Sequence, residues 1–399
     1  MRKIGFVIPW YGEDIPGGAE MELREVATHL QRAGMDVEIL TTCVREFSAD
    51  WNENYYSAGT AVVEDIAVRR FPVRRRDTAA FDRVNRRLME GQHLSLQEEK
   101  TFVEEMVNSP QLYEYLKDAS DDYALYVFIP YMFGTTYYGM QACPEKSVLI
   151  PCFHDEAYLY LRLFRQAYIQ ARGIIYNAMP EMELANKVYD FTTTEQICMG
   201  IGMDTNICAN ADAFRKAYRI QKPFLLYAGR KDAGKNVHTL LRYFAEYKQR
   251  HGDSDLQLVL IGGGSIEIPA SVRDDVYDLG FVSRQDKYDA MAAAELLCQP
   301  SHNESFSLVN HGELAVRTAG SGALPVRRHT GLRPQSQRRA VFPELLRVRG
   351  LRPVHPDASG TGTHHGTERR GICAGELRLG CHRGKIQSFL CKADRGVSL

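Results

Sequence analysis

The strongest constraint on the fold of this chain is a short apolar run that precedes a pair of glycines, a helical pattern and a second apolar run. The first run is KIGFVIP, residues 3–9, and Gly17 and Gly18 lead into a segment whose apolar residues recur at helical spacing. VEILTT, residues 37–42, is the next predicted strand. Strand, glycine loop, helix and strand in this order predict the opening of a doubly wound α/β domain.

The same pattern starts again in the second half of the chain. FLLYA at residues 224–228 precedes a glycine-bearing loop, a helix predicted at about 237–250 and a further strand at 257–261. The sequence therefore predicts an α/β protein of two Rossmann-like, doubly wound domains that face each other across a ligand cleft. Further strands are predicted in both halves at 124–129, 147–152, 173–176, 276–282 and 296–299, with a polar helical insert near 83–118.

The charge balance changes abruptly near residue 310. Residues 1–309 contain 33 basic and 44 acidic side chains, whereas residues 310–399 contain 16 basic and 6 acidic ones and no tyrosine. We therefore expect a first domain at 1–215, a second domain at 216–309 and an aberrant basic tail at 310–399. A basic tail is typical of nucleic-acid or membrane binding, but this one lacks interleaved aromatics and amphipathic periodicity, so we expect no nucleic-acid partner.

Several classes of protein are disfavoured by composition. No apolar stretch is long enough to span a bilayer, and the N-terminus lacks the pattern of a signal peptide, so we expect a cytoplasmic protein. The nine cysteines include no C-x-x-C pair, which argues against a disulfide framework or a structural zinc site. Neither domain contains G-x-G-x-x-G followed by an acid, which disfavours a dinucleotide oxidoreductase.

Two segments of the second domain suit an anionic ligand. In LLYAGRKDAGKN, Arg230 and Lys235 lie on a loop between a strand and a helix, where two cations and a helix N-terminus together favour a diphosphate. PSHNESFSLV, residues 300–309, places Glu304 before a predicted helix start whose backbone N–H groups can also face an anion. A solvated surface loop is the alternative reading of the first segment.

With GGAE at 17–20, MGIGMD at 199–204 and LGFV at 279–282, these segments resemble the family 4 glycosyltransferases, group 1 type, which are retaining enzymes of the GT-B fold. The resemblance spans residues 1 to about 309 and is strongest from 224 onward. It implies a cytoplasmic transferase that moves a sugar from a nucleotide-diphosphate sugar to a glycan or lipid-linked acceptor, as in polysaccharide biosynthesis. Contact with the inner face of the membrane is an open alternative.

The resemblance also implies roles for individual residues. Arg230 and Lys235 match the pair that binds the donor diphosphate, and Gly17 and Gly18 match a loop that approaches the same phosphates. His154 matches a catalytic position near the reacting sugar, although a hydrogen-bonded loop histidine is an equal alternative.

The other donor contacts implied by the family lie near the nucleobase and the sugar. Phe281 and Val282 match residues beside the base, and Glu304 matches the first acid of the family's E-x7-E motif, which would hold sugar hydroxyls. Backbone amides that face sugar and phosphate are implied at Ser305, Phe306, Ser307 and Leu308. The family uses no cofactor and no D-x-D metal site, and we interpret the D-x-D at 253–255 as a polar turn.

The family pattern disappears from Asn310 onward. The second acid of E-x7-E is expected at position 312, which is Gly312, while Glu313 is one residue late. Reading the back-translated sequence one base later restores an acid at 312 and a family-like closing helix near 375–389. We therefore hypothesise a frameshift near codon 310. A genuine basic tail and real divergence are the alternatives to the frameshift. The alternatives to the transferase function are a GT-B enzyme of another activity and a non-catalytic nucleotide-sugar-binding relative.

Overall fold

The computed structural model describes two compact units, divided after Gly202. The described residues are 2–13, 15, 17–202, 208–231 and 233–301. The domain limits predicted from the sequence, 1–215, 216–309 and 310–399, stay predictions. The last of these segments, with the frameshift hypothesis that concerns it, lies outside the described residues.

The first unit is built on one sheet, whose strands in the described residues are β1 (Lys3–Val7), β2 (Val37–Thr42), β3 (Gly59–Val63), β4 (Ile66–Phe71), β5 (Tyr123–Phe128), β6 (Ser147–Leu149), β7 (Gly173–Tyr176) and β8 (Glu195–Cys198). The strand order is β3-β4-β2-β1-β5-β6-β7-β8. Only β3 runs antiparallel to its neighbour. Because β2 and β5 lie on opposite sides of β1, the winding of the chain reverses at this strand, as in doubly wound sheets.

Helices cover both faces of this sheet. They are α1 (Gly18–Arg32), α2 (Thr78–Met89), α3 (Leu96–Glu104), α4 (Pro110–Asp118), α5 (Gly134–Ala142), α6 (Arg162–Tyr168) and α7 (Met179–Val188). On one face, Leu23, Ala27 and Leu30 of α1 pack against the buried side chains of β1, β2 and β4. The opposite face is rich in phenylalanine and tyrosine and packs against α2 to α7. Burial on both faces explains why the central parallel strands β1, β5 and β7 are mostly apolar.

The predicted helical insert is three helices, α2 to α4, and side-chain caps define where each begins. Asp77 accepts a hydrogen bond from the backbone of α2, and Ser95 forms a capping box with Glu98 at the start of α3. Ser109 caps α4, with Pro110 as its first residue. These caps satisfy backbone N–H groups that a helix cannot pair internally.

The second unit has a smaller parallel sheet with strands β9 (Phe224–Ala228), β10 (Gln257–Ile261), β11 (Val276–Gly280) and β12 (Leu296–Leu297), in the order β11-β10-β9-β12. Its helices are α8 (Ala211–Tyr218), α9 (Val237–Arg250) and α10 (Arg284–Ala293). Alternate residues of β9 enter different cores: Leu226 packs against α8 and α10, whereas Tyr227 packs against α9. The predicted α/β fold class is confirmed by the two parallel sheets and their covering helices.

Candidate active site

Two loops of the first unit that carry predicted site residues begin at the carboxyl ends of parallel strands. Gly17 and Gly18 end the loop after β1, and His154 lies in the loop after β6. In open α/β sheets, ligands bind at the carboxyl edge of the strands, near the point where the winding reverses. The structure thus places these three residues at the same edge of one sheet.

The loop between β1 and α1 has two glycines with different surroundings. At Gly17, φ is 156°, and an added Cβ would lie 1.8 Å from a carboxylate oxygen of Glu20. That buried carboxylate accepts a hydrogen bond from the indole Nε1 of Trp10 at 2.5 Å. At Gly18, an added Cβ would meet no described heavy atom within 4 Å. A Cβ at Gly17 would therefore displace the Glu20 carboxylate that accepts from Trp10, whereas a Cβ at Gly18 would displace no described atom.

The loop after β6 makes a sharp turn before His154. Cys152 has a left-handed φ of 56°, a conformation that non-glycine residues adopt rarely. The backbone N–H of Glu156 donates to the carbonyl oxygen of His154 at 2.9 Å. The neighbouring carboxylate of Asp155 accepts a hydrogen bond from the hydroxyl of Tyr160 at 2.8 Å. The imidazole of His154 is half-buried in this loop.

Behind this loop lies a buried polar cluster that the sequence analysis missed. The carboxylate of Glu181 accepts hydrogen bonds from the backbone N–H of Phe153 at 2.7 Å and of Asn177 at 2.8 Å. The side-chain amide of Asn177 donates to Glu22 at 2.9 Å. The cluster connects α1, the loop after β6 and the start of α7. In the sequence, the one indication of this cluster is Glu22, an acidic residue next to Leu23, which lies on the apolar side of a predicted helix.

Both carboxyl groups of this cluster titrate far above the usual range of a glutamate. Burial and, to a smaller extent, the charge of Glu181 together raise the pKa of Glu22 to about 8. Burial also raises the pKa of Glu181 to about 7, although its backbone hydrogen bonds oppose the change. The described residues provide no Lys or Arg ion pair to either carboxyl group within 4.0 Å. At neutral pH the pair therefore holds at least part of a proton.

In the second unit, the predicted phosphate loop leads into a helix as expected. Arg230 lies exposed in the turn that follows β9, and Lys235 ends a short 3-10 helix. The helix α9 begins at Val237, two residues after Lys235. Two cations and the N–H groups of a helix start thus share one short segment of chain. This combination stabilises bound anions, because the cations and the helix dipole act in the same direction.

Lys231 is a residue of this loop that the sequence analysis did not assign. Its side chain is fully buried, and its ammonium donates to the carboxylate of Asp278 at 2.8 Å and to the carbonyl oxygen of Gly262. The backbone N–H of Lys231 also donates to Gly263 at 2.8 Å. Lys231 therefore joins the loop after β9 to β11 and to the loop after β10. The buried ammonium of Lys231 thus stabilises the loop on its inner side, whereas Arg230 is exposed to solvent.

Glycines bring the loops after β9 and β10 into direct contact. At Gly262, φ is 117°, and an added Cβ would lie 2.2 Å from the carbonyl oxygen of Gly229. At Gly263, an added Cβ would lie 2.6 Å from the ring of Phe281. The triple glycine is thus explained by close packing rather than by a G-x-G-x-x-G motif.

Phe281 is unusually exposed for a phenylalanine. It directly follows β11, its ring covers Gly263, and 66% of its surface is accessible to solvent. Val282 is half-buried and contacts the core next to α10. An exposed aromatic ring at the carboxyl edge of a parallel sheet is suited to contact with a planar ligand.

Glu304 and the predicted amide donors Ser305, Phe306, Ser307 and Leu308 lie outside the described residues. Across the described ranges, no group of three or more His, Cys, Asp or Glu side chains is arranged to hold a metal ion. Every helix in those ranges is too short or too polar to cross a bilayer.

Part of the second unit is similar to a known family of domains. Residues 210–319 match the model described as glycosyl transferases group 1. The second unit is similar to this glycosyltransferase domain. The match contains β9, the loop with Arg230 and Lys235, and the glycine loop after β10. Comparison with curated protein sequences gives no significant match.

Solved structures resemble the chain over most of its length. Sucrose-phosphate synthase from Thermosynechococcus elongatus is 16% identical, covers 79% of each chain and has a TM-score of 0.57. An α,α-trehalose-phosphate synthase from Burkholderia xenovorans is 10% identical, with 79% of this chain and 82% of that chain covered and a TM-score of 0.58.

A third structure, described as trehalose-6-phosphate from E. coli bound with UDP-2-fluoro glucose, is 8% identical over 79% of this chain and 81% of that chain, with a TM-score of 0.52. At these identities the likeness concerns the fold alone. The fold resembles that of the GT-B glycosyltransferases.

Proposed function

We propose that this protein is a retaining glycosyltransferase of family 4. It transfers a sugar from a nucleotide-diphosphate sugar to a glycan or a lipid-linked acceptor, in the biosynthesis of a polysaccharide at the cytoplasmic face of the membrane. The observation that carries the proposal is the loop of Arg230 and Lys235 before α9, within the segment that matches group 1 glycosyl transferases. No cofactor is needed beyond the donor substrate.

The chemistry of sugar transfer requires positive charge beside the donor diphosphate. The bond between the anomeric carbon and the diphosphate oxygen breaks, and negative charge develops on the leaving nucleoside diphosphate. Arg230, Lys235 and the N–H groups at the start of α9 would stabilise that charge. The acceptor hydroxyl forms the new bond and loses its proton, which the leaving phosphate would accept in a front-side reaction with retention.

The remaining predicted residues would orient the donor. Phe281, exposed beside Gly263, would contact the nucleobase together with Val282. In the first unit, the open backbone at Gly18 and the imidazole of His154 would approach the phosphates and the transferred sugar. Glu304 would hold hydroxyls of the donor sugar, and the amides of 305–308 would face the sugar and the phosphate.

Similar structures suggest which ligands to try first. One is described as bound with UDP-2-fluoro glucose, and another, a UDP-forming synthase, as in complex with glucose-6-phosphate. UDP-sugars are therefore the first donors to test, and sugars that carry an anionic group are useful acceptors.

A second candidate is a nucleotide-sugar-binding protein without turnover. It is favoured by Gly312, which occupies the position where the family has its second acid. Under the frameshift hypothesis, the ancestral protein was a complete transferase and residues 310–399 are read out of frame. Both candidate functions include donor binding, so a measurement of donor turnover is needed to distinguish the transferase from the binding protein.

Calorimetric titration with UDP, GDP and ADP tests the donor site. We expect one of them to bind, and Arg230→Ala and Lys235→Ala each to weaken its binding by about tenfold to a hundredfold, because each removes a charge-assisted contact. Arg242→Ala is the control, since Arg242 is exposed on α9 away from the loop. Failure of all three nucleotides to bind, or equal weakening in the control, would contradict the proposal.

A further inference from the structure

A buried arginine at the carboxyl edge of the first unit has no acidic partner among the described residues. Arg70, the penultimate residue of β4, is only 7% exposed. Its Nη2 donates to the backbone carbonyl oxygen of Tyr11 at 3.1 Å. Because β2 lies between β4 and β1, the side chain must pass over the carboxyl end of β2 to reach that oxygen. The guanidinium thus lies beneath the same loop that carries Gly17 and Gly18.

Two other arginines of the first unit pair with carboxylates, whereas Arg70 pairs with none in the part of the chain that the structure describes. Arg69 forms an ion pair with Glu38 at 2.9 Å, and Arg24 forms one with Glu64 at 2.8 Å. Within the described ranges, no carboxylate lies within 4.0 Å of the Arg70 guanidinium. Burial of a cation without an anion costs several kcal/mol. Desolvation accordingly lowers the pKa of Arg70.

Most of the hydrogen-bonding capacity of this guanidinium is unused. It has five N–H donors, and its Nε is fully buried with no partner among the described residues. The Nη1 atom of Arg70 also makes no hydrogen bond to a described residue. Unlike Nε, Nη1 is partly accessible to solvent. The ring of Tyr56, with its centroid 4.3 Å from the Arg70 Cζ, holds the guanidinium in place by a cation–π contact.

A second unpaired polar group lies on the adjacent strand. Thr41 of β2 is the register partner of Arg70 in β4, so both side chains leave the same face of the parallel sheet. The hydroxyl of Thr41 is fully buried and has no partner within the described part of the chain. Two neighbouring strands therefore offer unpaired donors, one of them cationic, at the edge where ligands of this fold bind.

We propose that Arg70, with Thr41 beside it, forms an oxyanion site that binds a phosphate or carboxylate group of the acceptor. The planar guanidinium matches the geometry of both groups, and a bound anion would offset the cost of the buried charge. This inference rests on the proposed transferase function and specifies its acceptor as an anionic sugar or glycan. Arg70 acts there as a residue that determines specificity, because it contacts the acceptor away from the reacting hydroxyl.

Binding of inorganic phosphate and acetate to the full chain tests the site, and the two probes distinguish the anions. The titrations use the variant with Arg230→Ala and Lys235→Ala, so that the donor loop does not contribute, and sodium chloride at equal ionic strength as reference. In this background, Arg70→Gln should weaken binding of the preferred anion by at least about tenfold. Arg69→Gln should leave it unchanged, and Arg70→Lys should retain part of it. Equal binding with and without Arg70→Gln would overturn the proposal.

An internal counter-ion is the main rival explanation, and Asp14 of the same loop is the candidate. Its position lies outside the described residues. A double-mutant cycle of Arg70→Gln with Asp14→Asn, read by urea denaturation, measures any coupling between them. Additive losses of stability support the oxyanion site. Coupling above about 1 kcal/mol would overturn it, because the pair would then neutralise itself.

Kinetics separate this inference from the function on which it rests. If the wild-type chain transfers sugar, Arg70→Gln should raise KM for glucose 6-phosphate or glucuronate at least about tenfold, without raising KM for glucose and with little change in donor hydrolysis. Equal changes for the charged and neutral sugars would contradict the site. If the wild-type chain turns over no donor but binds anions through Arg70, the transferase proposal fails while the anion site stands.

Discussion

Glu181 fixes the backbone immediately before His154, because its Oε1 accepts a hydrogen bond from the N–H of Phe153 at 2.7 Å. The other carboxylate oxygen accepts from the N–H of Asn177 at 2.8 Å. One buried side chain thus holds the loops after β6 and β7 together. The left-handed turn at Cys152, which directs the chain toward His154, lies next to this contact.

Replacement of Glu181 should therefore affect both the position of His154 and the stability of the fold. In Glu181→Gln, one oxygen becomes an NH₂ group that cannot accept, so one backbone N–H loses its partner. We expect a loss of about 1–3 kcal/mol in the free energy of unfolding and a kcat lower by about tenfold, with donor KM little changed. Urea denaturation and steady-state kinetics measure the two effects. Glu183→Gln, exposed on the same helix, is the control, and undiminished kcat in folded Glu181→Gln would contradict the positioning role.

The buried pair of Glu22 and Glu181 predicts a stability that falls as pH rises. In the unfolded chain both groups titrate near 4.5, whereas in the folded protein their pKa values are about 8 and about 7. Between pH 5 and 8 the folded protein binds more protons than the unfolded chain, so the free energy of unfolding decreases with pH. Thermal unfolding between pH 5.5 and 8.5 measures the slope.

Glu22→Gln tests the origin of that slope. The amide is neutral at every pH and still accepts from Asn177 through its oxygen, so we expect the decrease between pH 6 and 8.5 to become shallower. Glu25→Gln in the same helix, which replaces a half-exposed carboxyl group, should leave the slope as it is. A slope that is the same in wild type and Glu22→Gln would mean that Glu22 does not hold the extra proton.

Gly17 and Gly18 offer a matched pair of substitutions in one loop. Gly17→Ala places a methyl group against the carboxylate of Glu20, so we expect a loss of about 1–3 kcal/mol in stability. Gly18→Ala meets open space and should change stability by less than about 0.5 kcal/mol. If a donor phosphate approaches Gly18, this alanine should still lower kcat/KM. Normal kcat/KM in Gly18→Ala would argue against such an approach.

Lys231 should matter for the stability of the second unit. Lys231→Met removes the ammonium that pairs with Asp278 and donates to Gly262, leaving a half-buried carbonyl oxygen without this donor. We expect a loss of about 1–3 kcal/mol in the free energy of unfolding, measured by urea denaturation. Lys216→Met, at an exposed position of α8, is the control. Equal effects of the two substitutions would show that the buried ion pair contributes nothing.

Replacement of Phe281 should weaken donor binding and have little effect on the stability of the fold. Because its ring is 66% exposed, Phe281→Ala should cost less than about 1 kcal/mol of stability. If the ring stacks on the nucleobase, the same variant should raise donor KM by about tenfold, and Phe281→Tyr should restore it. An unchanged KM in Phe281→Ala would place the base elsewhere.

The sequence predicted the strands that are buried on both faces, because each is a short apolar run between turn residues. The strands 37–42, 173–176, 224–228 and 257–261 match the structure residue for residue. The hairpin of β3 and β4 was missed, since β3 is exposed and β4 contains two adjacent arginines. The fold class can thus be predicted from the apolar runs of the central strands. Strands at the edge of the sheet are less apolar, so the same pattern does not reveal them.

The candidate site was predictable only where chain neighbours form it. Arg230 and Lys235 share one loop, so their spacing before a helix was visible in the sequence. Lys231, Glu22 and Arg70 depend on partners that the fold brings together, such as Asp278 for Lys231, which is 47 residues away. No periodicity encodes such pairs, so their burial and charge state appear only in three dimensions.

Proton NMR of the full chain with a UDP-sugar, with and without glucose 6-phosphate as acceptor, tests the central claim most directly. Our account predicts loss of the donor's anomeric signal, release of UDP, and a product whose anomeric configuration is that of the donor, all abolished by Arg230→Ala. Binding of the donor with no turnover would contradict the transferase and favour the binding protein. A product of inverted configuration would contradict the retaining mechanism.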